Sequence, residues 1–396
     1  MKSLSLYIHF PYCLYKCHYC DFNSYAVKSV ASLQDPYIAA LIQEFELAQE
    51  KFSLSKLKSI FLGGGTPSLF EPDRIKKLLK YLEQHLGFSS EIEITLEVNP
   101  KTLDREKLKA FVSAGINRFS VGIQSFQDKF LSPLGRLHDS QEAKDVLRLF
   151  DSEQVPNYNF DLMFAFPGQS LEELKEDLKQ ASNFHPKHIS FYNLTLEEGT
   201  IFAEHVKQGK IRLLDSDLQA EMYEEGVAIL ESQGYPLYEI SNFAEKGYES
   251  RHNLAYWKYE DYLGLGAGAF SFMSRDLLRI PCQGEGTDLY GVRWMNPKSP
   301  ELYLKNPSQA YSFGDWEKID LATAKKEYWM MGLRLREGID TVIFEEKFGK
   351  GSLEIYSENL KKIINKSYLK NENQRLCLTP QGRLLANEVI SSFFME

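Results

Sequence analysis

The sequence predicts an α/β fold organised around a parallel sheet, and three observations carry that expectation. Short apolar, β-branched or aromatic runs alternate with helical periodicity through the first half of the chain. Strands separated by helices form βα units, which make a parallel sheet, either barrel-like or doubly wound. The chemically unusual residues fall where the strand runs end, and in such sheets that edge binds ligands.

Six strands are expected in order, at 5–10, 58–64, 91–99, 117–124, 157–166 and 188–195. Between them, Ile38, Leu41, Ile42 and Phe45 line one face of a helix. Leu108, Phe111 and Val112 line another, which Gly115 stops. Ser170 with Glu173 reads as a capping box opening LEELKEDLKQA. The pattern changes after residue 200, where a helix near 215–232 leads to YPLYEIS and then to ESRHNLAYWKYEDYLGLGAGAFSF. The proline-bearing segment RWMNPKSPELYLKNP joins a last unit that reads helix, helix, a hairpin at 368–379 and a helix from Pro380. That order suggests a small, mainly helical, winged-helix-like module.

At 396 residues the chain is long enough for one large domain and one or two smaller ones. A net charge of −9 argues against nonspecific nucleic-acid binding, and the last unit holds no dense basic helix, so a lid or docking platform is expected there. No run of about eighteen apolar residues appears, so no membrane-spanning helix is expected. The N-terminus has no long apolar stretch and no cleavage site of a secretory signal. Five cysteines in a chain this long make no disulfide framework, which suits a reducing, cytoplasmic compartment.

Three of those cysteines, Cys13, Cys17 and Cys20, stand as C-x3-C-x2-C in HFPYCLYKCHYCDF. A disulfide is one reading. A zinc site is another, with His18 as its fourth ligand, since structural zinc closes four positions. The third is a cubane iron–sulfur cluster, normally held by four thiolates. With three, one iron is open to an amino-acid chelate such as the amino and carboxylate groups of S-adenosylmethionine.

The motif, with Tyr19 as its aromatic, together with FLGGGTPS, ITLEVNP, GINRFSVGIQSF and LGRLH, resembles the radical S-adenosylmethionine family. The resemblance covers roughly residues 4 to 270. It lies with the group that contains oxygen-independent coproporphyrinogen III oxidase and the bacterial heme chaperone. It implies a partial (β/α)6 barrel holding a [4Fe-4S] cluster through Cys13, Cys17 and Cys20, with S-adenosylmethionine on the open iron. It also implies that Tyr7, Gly64, Gly65, Thr66, Glu97, Gln124, Arg136, Asp161 and Thr195 contact that cofactor. Read from the residues alone, GGGT is equally a tight strand-to-helix turn, and the polar residues are equally structural.

Two departures separate the branches. The oxidase continues its motif to a fourth cysteine where this chain has Phe22, and it carries an N-terminal segment before the first strand that is not expected here. HNLAYW, residues 252–257, matches the HNxxYW string of the chaperone branch, which implies that His252, Tyr256 and Trp257 meet heme. Imidazole ligates heme iron and aromatic rings cover a macrocycle, yet a hydrogen-bonded structural histidine beside two core aromatics fits the same string. No site role is expected for His9, His85 or His205, a structural role beside Arg136 is expected for His138, and Cys282 and Cys377 read as ordinary thiols.

The expectation is therefore a barrel core at 1–200, an extension bearing HNxxYW at 201–292 and a winged-helix-like domain at 293–396. Its expected function is to bind heme and pass it to an acceptor protein. Membrane contact, if any, would be peripheral. The alternative is a radical oxidative decarboxylation of a porphyrinogen, and whether the chain is an enzyme is left open.

Overall fold

The computed structural model describes residues 3–279, 288–311 and 316–394. Cys282 lies outside them. The strands are β1 (Leu4–Phe10), the short pair β2 (Tyr12–Cys13) and β3 (Tyr25–Ala26), β4 (Leu57–Gly64), β5 (Phe88–Val98), β6 (Arg118–Gln124), β7 (Tyr158–Phe164) and β8 (His188–Asn193). There follow β9 (Leu237–Glu239), β10 (Asn242–Ala244), β11 (Tyr262–Leu265), β12 (Phe270–Ser274), β13 (Leu289–Met295) and β14 (Glu317–Asp320). The last three are β15 (Ile339–Asp340), β16 (Leu369–Glu372) and β17 (Arg375–Leu378).

One large sheet has the order β14-β13-β12-β11-β1-β4-β5-β6-β7-β8-β10-β9. The strands β1, β4, β5, β6, β7 and β8 are all parallel and lie side by side in chain order. A doubly wound sheet would reverse direction at a switch point, so this unbroken progression is the barrel-type solution, here an open one. On the free edge of β1, β11 adds in parallel, and β12 to β14 continue antiparallel. At the other edge β10 and β9 pair antiparallel with β8.

Period-two alternation sorts the side chains of these strands. Leu4, Leu6, Ile8, Ile60, Leu62, Ile94, Leu96, Phe119, Val121, Phe160, Leu162, Ile189 and Phe191 join the main hydrophobic core with the flanking helices. The opposite face carries Ser5, Ser59, Glu93, Thr95, Arg118, Ser120, Asn159 and His188, all buried. Local signals behave as expected. Gly115 ends the helix Arg105–Ala114 in the left-handed region, and Ser170 and Glu173 form both bonds of the capping box on Leu171–Ala181.

A second core gathers around Trp329, Phe344, Tyr356 and Phe393, with helices Leu321–Gly332, Thr341–Phe348 and Ser357–Asn365 beside the small sheet β15-β17-β16. It docks on the large sheet through Glu327, which accepts from Tyr259 Oη at 2.6 Å and pairs with Arg293 at 2.5 Å. The boundary expected at 293 falls inside β13, and β14 still belongs to the large sheet. We place the start of the smaller unit near Asp320.

Candidate functional site

The polar face of the parallel strands encloses a cavity of about 530 Å³ that opens at their carboxyl ends. Its wall brings together Cys13, Cys17, Cys20, Gly64, Gly65, Thr66, Glu97, Gln124, Arg136, Asp161 and Thr195. These residues come from segments up to 182 positions apart, between Cys13 and Thr195. The fold brings them together because most sit at or just past a strand end, while Asp161 points in from the middle of β7 and Arg136 from the loop after the short helix Asp128–Leu131.

The cysteine loop leaves β1 and runs across this mouth. Its thiols have few and long contacts. Thr66 Oγ1 donates to Cys13 Sγ at 3.4 Å, an Arg136 amino group lies 3.5 Å from Cys17 Sγ, and Ser24 Oγ is 4.0 Å from Cys20 Sγ. Burial pushes the thiols of Cys13 and Cys20 up from their ordinary value, which opposes ionisation. Coordination to a cationic metal centre inverts that balance and deprotonates a thiol outright. His18 is committed elsewhere, with Nδ1 on the Pro133 carbonyl at 2.9 Å and Nε2 on Tyr15 Oη at 2.8 Å. That removes the fourth ligand of the zinc reading. Among the described residues no three His, Cys, Asp or Glu side chains converge to hold a single ion. Three thiols spread around an opening suit a cluster several atoms across.

Arg136 crosses the cavity wall over Gly122, whose carbonyl accepts from its second amino group at 2.5 Å. A Cβ at Gly122 would stand 3.1 Å from that guanidinium and 3.0 Å from Gln124 Nε2, a crowding that glycine avoids. The guanidinium Nε of Arg136 is buried without a partner among the described residues. An unmet buried donor of this kind costs about 1–3 kcal/mol, which a ligand carboxylate would recover.

Glu97 accepts from the Gly64 amide at 3.0 Å. Burial, then the neighbouring charge of Asp161, pushes its carboxyl up to about 8. Asp161 is raised as well, by burial, although Asn159 Nδ2 bonds it at 3.0 Å. Two carboxyls held above their usual range beside one cavity favour a cationic or hydrogen-bond-donating ligand, which would restore their charge.

Gly64 has φ +108, and a Cβ there would meet the His9 ring at 2.4 Å. The GGGT loop makes its close approach to the protein itself, because the Gly65 and Thr66 amides donate to the Phe10 and Tyr12 carbonyls at 2.7 and 2.9 Å. Gln124 ends β6 with φ 71, unusual for a residue with a side chain, where the register with β7 shifts. Its Oε1 accepts from Tyr192 Oη at 2.8 Å. Thr195 lies two residues past the end of β8 and bonds Glu197 at 3.0 Å.

Sequence reasoning missed the deeper wall of the cavity: Arg118, Ser120, Asn159, His188, Ser190 and Tyr192. Arg118 is 2% exposed, its Nε lacks a partner among the described residues, and Thr95 Oγ1 is 3.5 Å from one amino group. The phase of the alternation was the available signal, since residues 118, 120 and 122 share a face with Gln124.

A second cleft of about 670 Å³ lies across the cysteine loop, toward β11 and β12. Tyr7 opens there, with Gly64 and Glu97 common to both cavities. His9 lines this cleft, with Nδ1 on Tyr7 Oη at 2.9 Å and Nε2 on the Asn23 carbonyl at 2.8 Å.

The string HNLAYW lies in the helix Arg251–Trp257, packed on the polar face of β1 and β4. His252 is 1% exposed, between Ser59 Oγ at 3.1 Å and Tyr256 Oη at 2.9 Å, and its backbone amide donates to Glu93. Burial lowers its imidazole to about 3. Tyr256 reaches the second cleft. Trp257 faces Arg334, whose guanidinium lies 5.9 Å from its ring. Neither cavity is lined by His252 or Trp257. His138 bonds the Ile123 carbonyl at 3.1 Å, and burial and then Arg136 lower it to about 3. Cys377 donates to the Glu337 carbonyl at 3.1 Å.

A family model described as the radical SAM superfamily matches residues 7–181, and one described as the HemN C-terminal domain matches residues 319–385. With the open sheet and the three-thiol mouth, they define the class: the chain belongs to the radical S-adenosylmethionine superfamily, whose cofactors are a [4Fe-4S] cluster and S-adenosylmethionine. Within it the chain belongs to the family of the heme chaperone HemW. It is 40% identical to "Heme chaperone HemW" of Haemophilus influenzae, an alignment covering 100% of this chain and 99% of the relative. The Bacillus subtilis HemW is 36% identical over 99% of each chain. The solved coproporphyrinogen III oxidase (HemN) of Escherichia coli shares the fold at TM-score 0.78 and 22% identity, covering 99% of this chain and 90% of that one.

Proposed function

We propose that the chain is a heme chaperone, which binds heme and delivers it to an acceptor protein, and that its cluster and S-adenosylmethionine govern the state competent for transfer. The full-length similarity to the HemW proteins carries this reading. Phe22 supports it, since the thiol that the oxidase resemblance calls for is replaced by an exposed ring.

In this reading Cys13, Cys17 and Cys20 hold the cluster, whose open iron chelates the amino-acid end of S-adenosylmethionine. The donor set fits, because the three thiols face one cavity and none has a strong protein partner. Arg136 meets the ligand carboxylate with its unpaired Nε. Glu97 and Asp161 accept from the amino and ribose groups and regain their charge beside the sulfonium. Gln124 and Thr195 bound the nucleoside end, Gly64, Gly65 and Thr66 line the cavity at the amino-acid end of the cofactor, and Tyr7 stands at the border with the second cleft. Arg118, Asn159 and His188 line the floor beneath.

No helix among the described residues is long and apolar enough to cross a membrane. We read the protein as acting in the cytoplasm, with any membrane contact made at the acceptor. The test is hemin titration of the anaerobically reconstituted protein beside a coproporphyrinogen turnover assay. Stoichiometric hemin binding and onward transfer, without decarboxylated product, is the expected result. Robust turnover would overturn it in favour of the oxidase.

A further inference from the structure

None of the three cysteines lines the second cleft, yet it borders their loop. Lys16, Phe22, Gly64 and Glu97 face both cavities, so the cysteine loop is a shared wall. Its volume lies in the ~300–1,000 Å³ range of pockets that take organic ligands.

Two large aromatic side chains are left open there. Phe22 is 58% exposed on the loop, and Phe270, first residue of β12, is 50% exposed on the opposite side. Tyr25 on the loop is exposed in the same cleft. Exposed apolar groups gathered in one concavity mark a binding surface rather than ordinary surface scatter. Two ammonium groups accompany them. Lys16 donates to the Phe22 carbonyl at 3.0 Å, and neither Lys16 nor Lys298 meets a carboxylate among the described residues.

The rim is built, because Asn23 Nδ2 donates to the Ala267 and Lys298 carbonyls at 3.0 and 2.9 Å, tying the loop to the far wall. The floor carries polar aromatic groups, Tyr7, His9 and Tyr256. The acids are Asp21 at the rim and Glu97, both of which the cluster cavity shares.

A flat apolar ring with two carboxylates on one edge matches this arrangement. Resting on the heme-chaperone reading, we infer that heme docks in this second cleft, packed against Phe22 and Phe270, with its propionates on Lys16 and Lys298. His252 then acts behind the site as a positioning residue, holding the Tyr256 hydroxyl at 2.9 Å. Phe22 is the element that turns the end of a cluster motif into a heme wall, so one loop carries both ligands.

The test is hemin titration of the reconstituted full chain as wild type, Phe270→Ala and Lys298→Glu, repeated with hemin dimethyl ester, which lacks the propionate charge. Both substitutions are at exposed positions outside the cluster site, so the response of the cluster to S-adenosylmethionine should persist as the control. Each variant should weaken hemin on the order of tenfold, as for an aromatic or charged anchor in an interface. Phe270→Ala should weaken the ester as well, and Lys298→Glu should leave it unchanged. Wild-type hemin affinity in either variant would overturn this placement while leaving the chaperone reading intact. Failure of the wild type to bind hemin would overturn both.

Discussion

The cysteine loop and the HNLAYW helix are both short strings of ligand-type residues, and the fold treats them in opposite ways. The loop leaves its donors wanting: three thiols with contacts of 3.4 to 4.0 Å, and beside them an arginine with a buried unpaired Nε. The helix leaves its histidine satisfied, with one nitrogen on Ser59, the other on Tyr256, the Phe61 ring stacked on it and the Tyr7 ring tilted alongside. Residue type proposes a ligand site, and unmet bonding capacity locates it. A donor whose capacity is already filled by protein belongs to the scaffold.

The largest effect that sharpens this contrast is Cys17→Ala, which should abolish the cluster, with iron content and visible absorption falling to background. His252→Ala should act on stability instead. Losing two buried hydrogen bonds and a packed ring should cost about 2–4 kcal/mol in denaturant unfolding, with iron content unchanged. Loss of hemin binding at unchanged stability would break the comparison, because His252 would then serve the heme site rather than the scaffold. The pH dependence follows from the same residue. Its imidazole titrates near 3 in the fold against an ordinary 6.5, so only the unfolded chain takes up the proton between those values. The stability it contributes is present above pH 6.5 and is lost as pH falls toward 3. Unfolding midpoints measured across that window should fall less steeply in His252→Gln than in wild type.

Arg136→Lys keeps the charge and loses the planar fork. S-adenosylmethionine affinity should drop by about 1–3 kcal/mol, read by calorimetry on cluster-loaded protein, with little change in iron content. Tyr256→Phe is the smallest, at about 1 kcal/mol of stability for one hydrogen bond.

Much of this was legible in the sequence. The six strands β1 and β4 to β8 and the cysteine loop follow from local pattern, because period-two alternation and thiol spacing are written in neighbouring residues. The edge strands β11 to β14 were not, since TyrLeuGlyLeu at 262–265 is short and its parallel partner β1 lies more than 250 residues away. Arg118 was hidden for another reason. An arginine opening a strand looks like a solvent-facing charge until the sheet curves its polar face inward. The role of Gly64 depends on His9, a contact between neighbouring strands of the sheet that lie far apart in sequence, which no local pattern encodes.

The claim on which the rest depends is that three thiols hold a cluster with one iron free for S-adenosylmethionine. Electron paramagnetic resonance of the reduced, anaerobically reconstituted protein tests it, with S-adenosylmethionine labelled at its amino nitrogen. The account predicts a changed cluster spectrum and a hyperfine coupling from that nitrogen to a cluster iron. An unchanged spectrum, or stoichiometric zinc in place of iron, would contradict it.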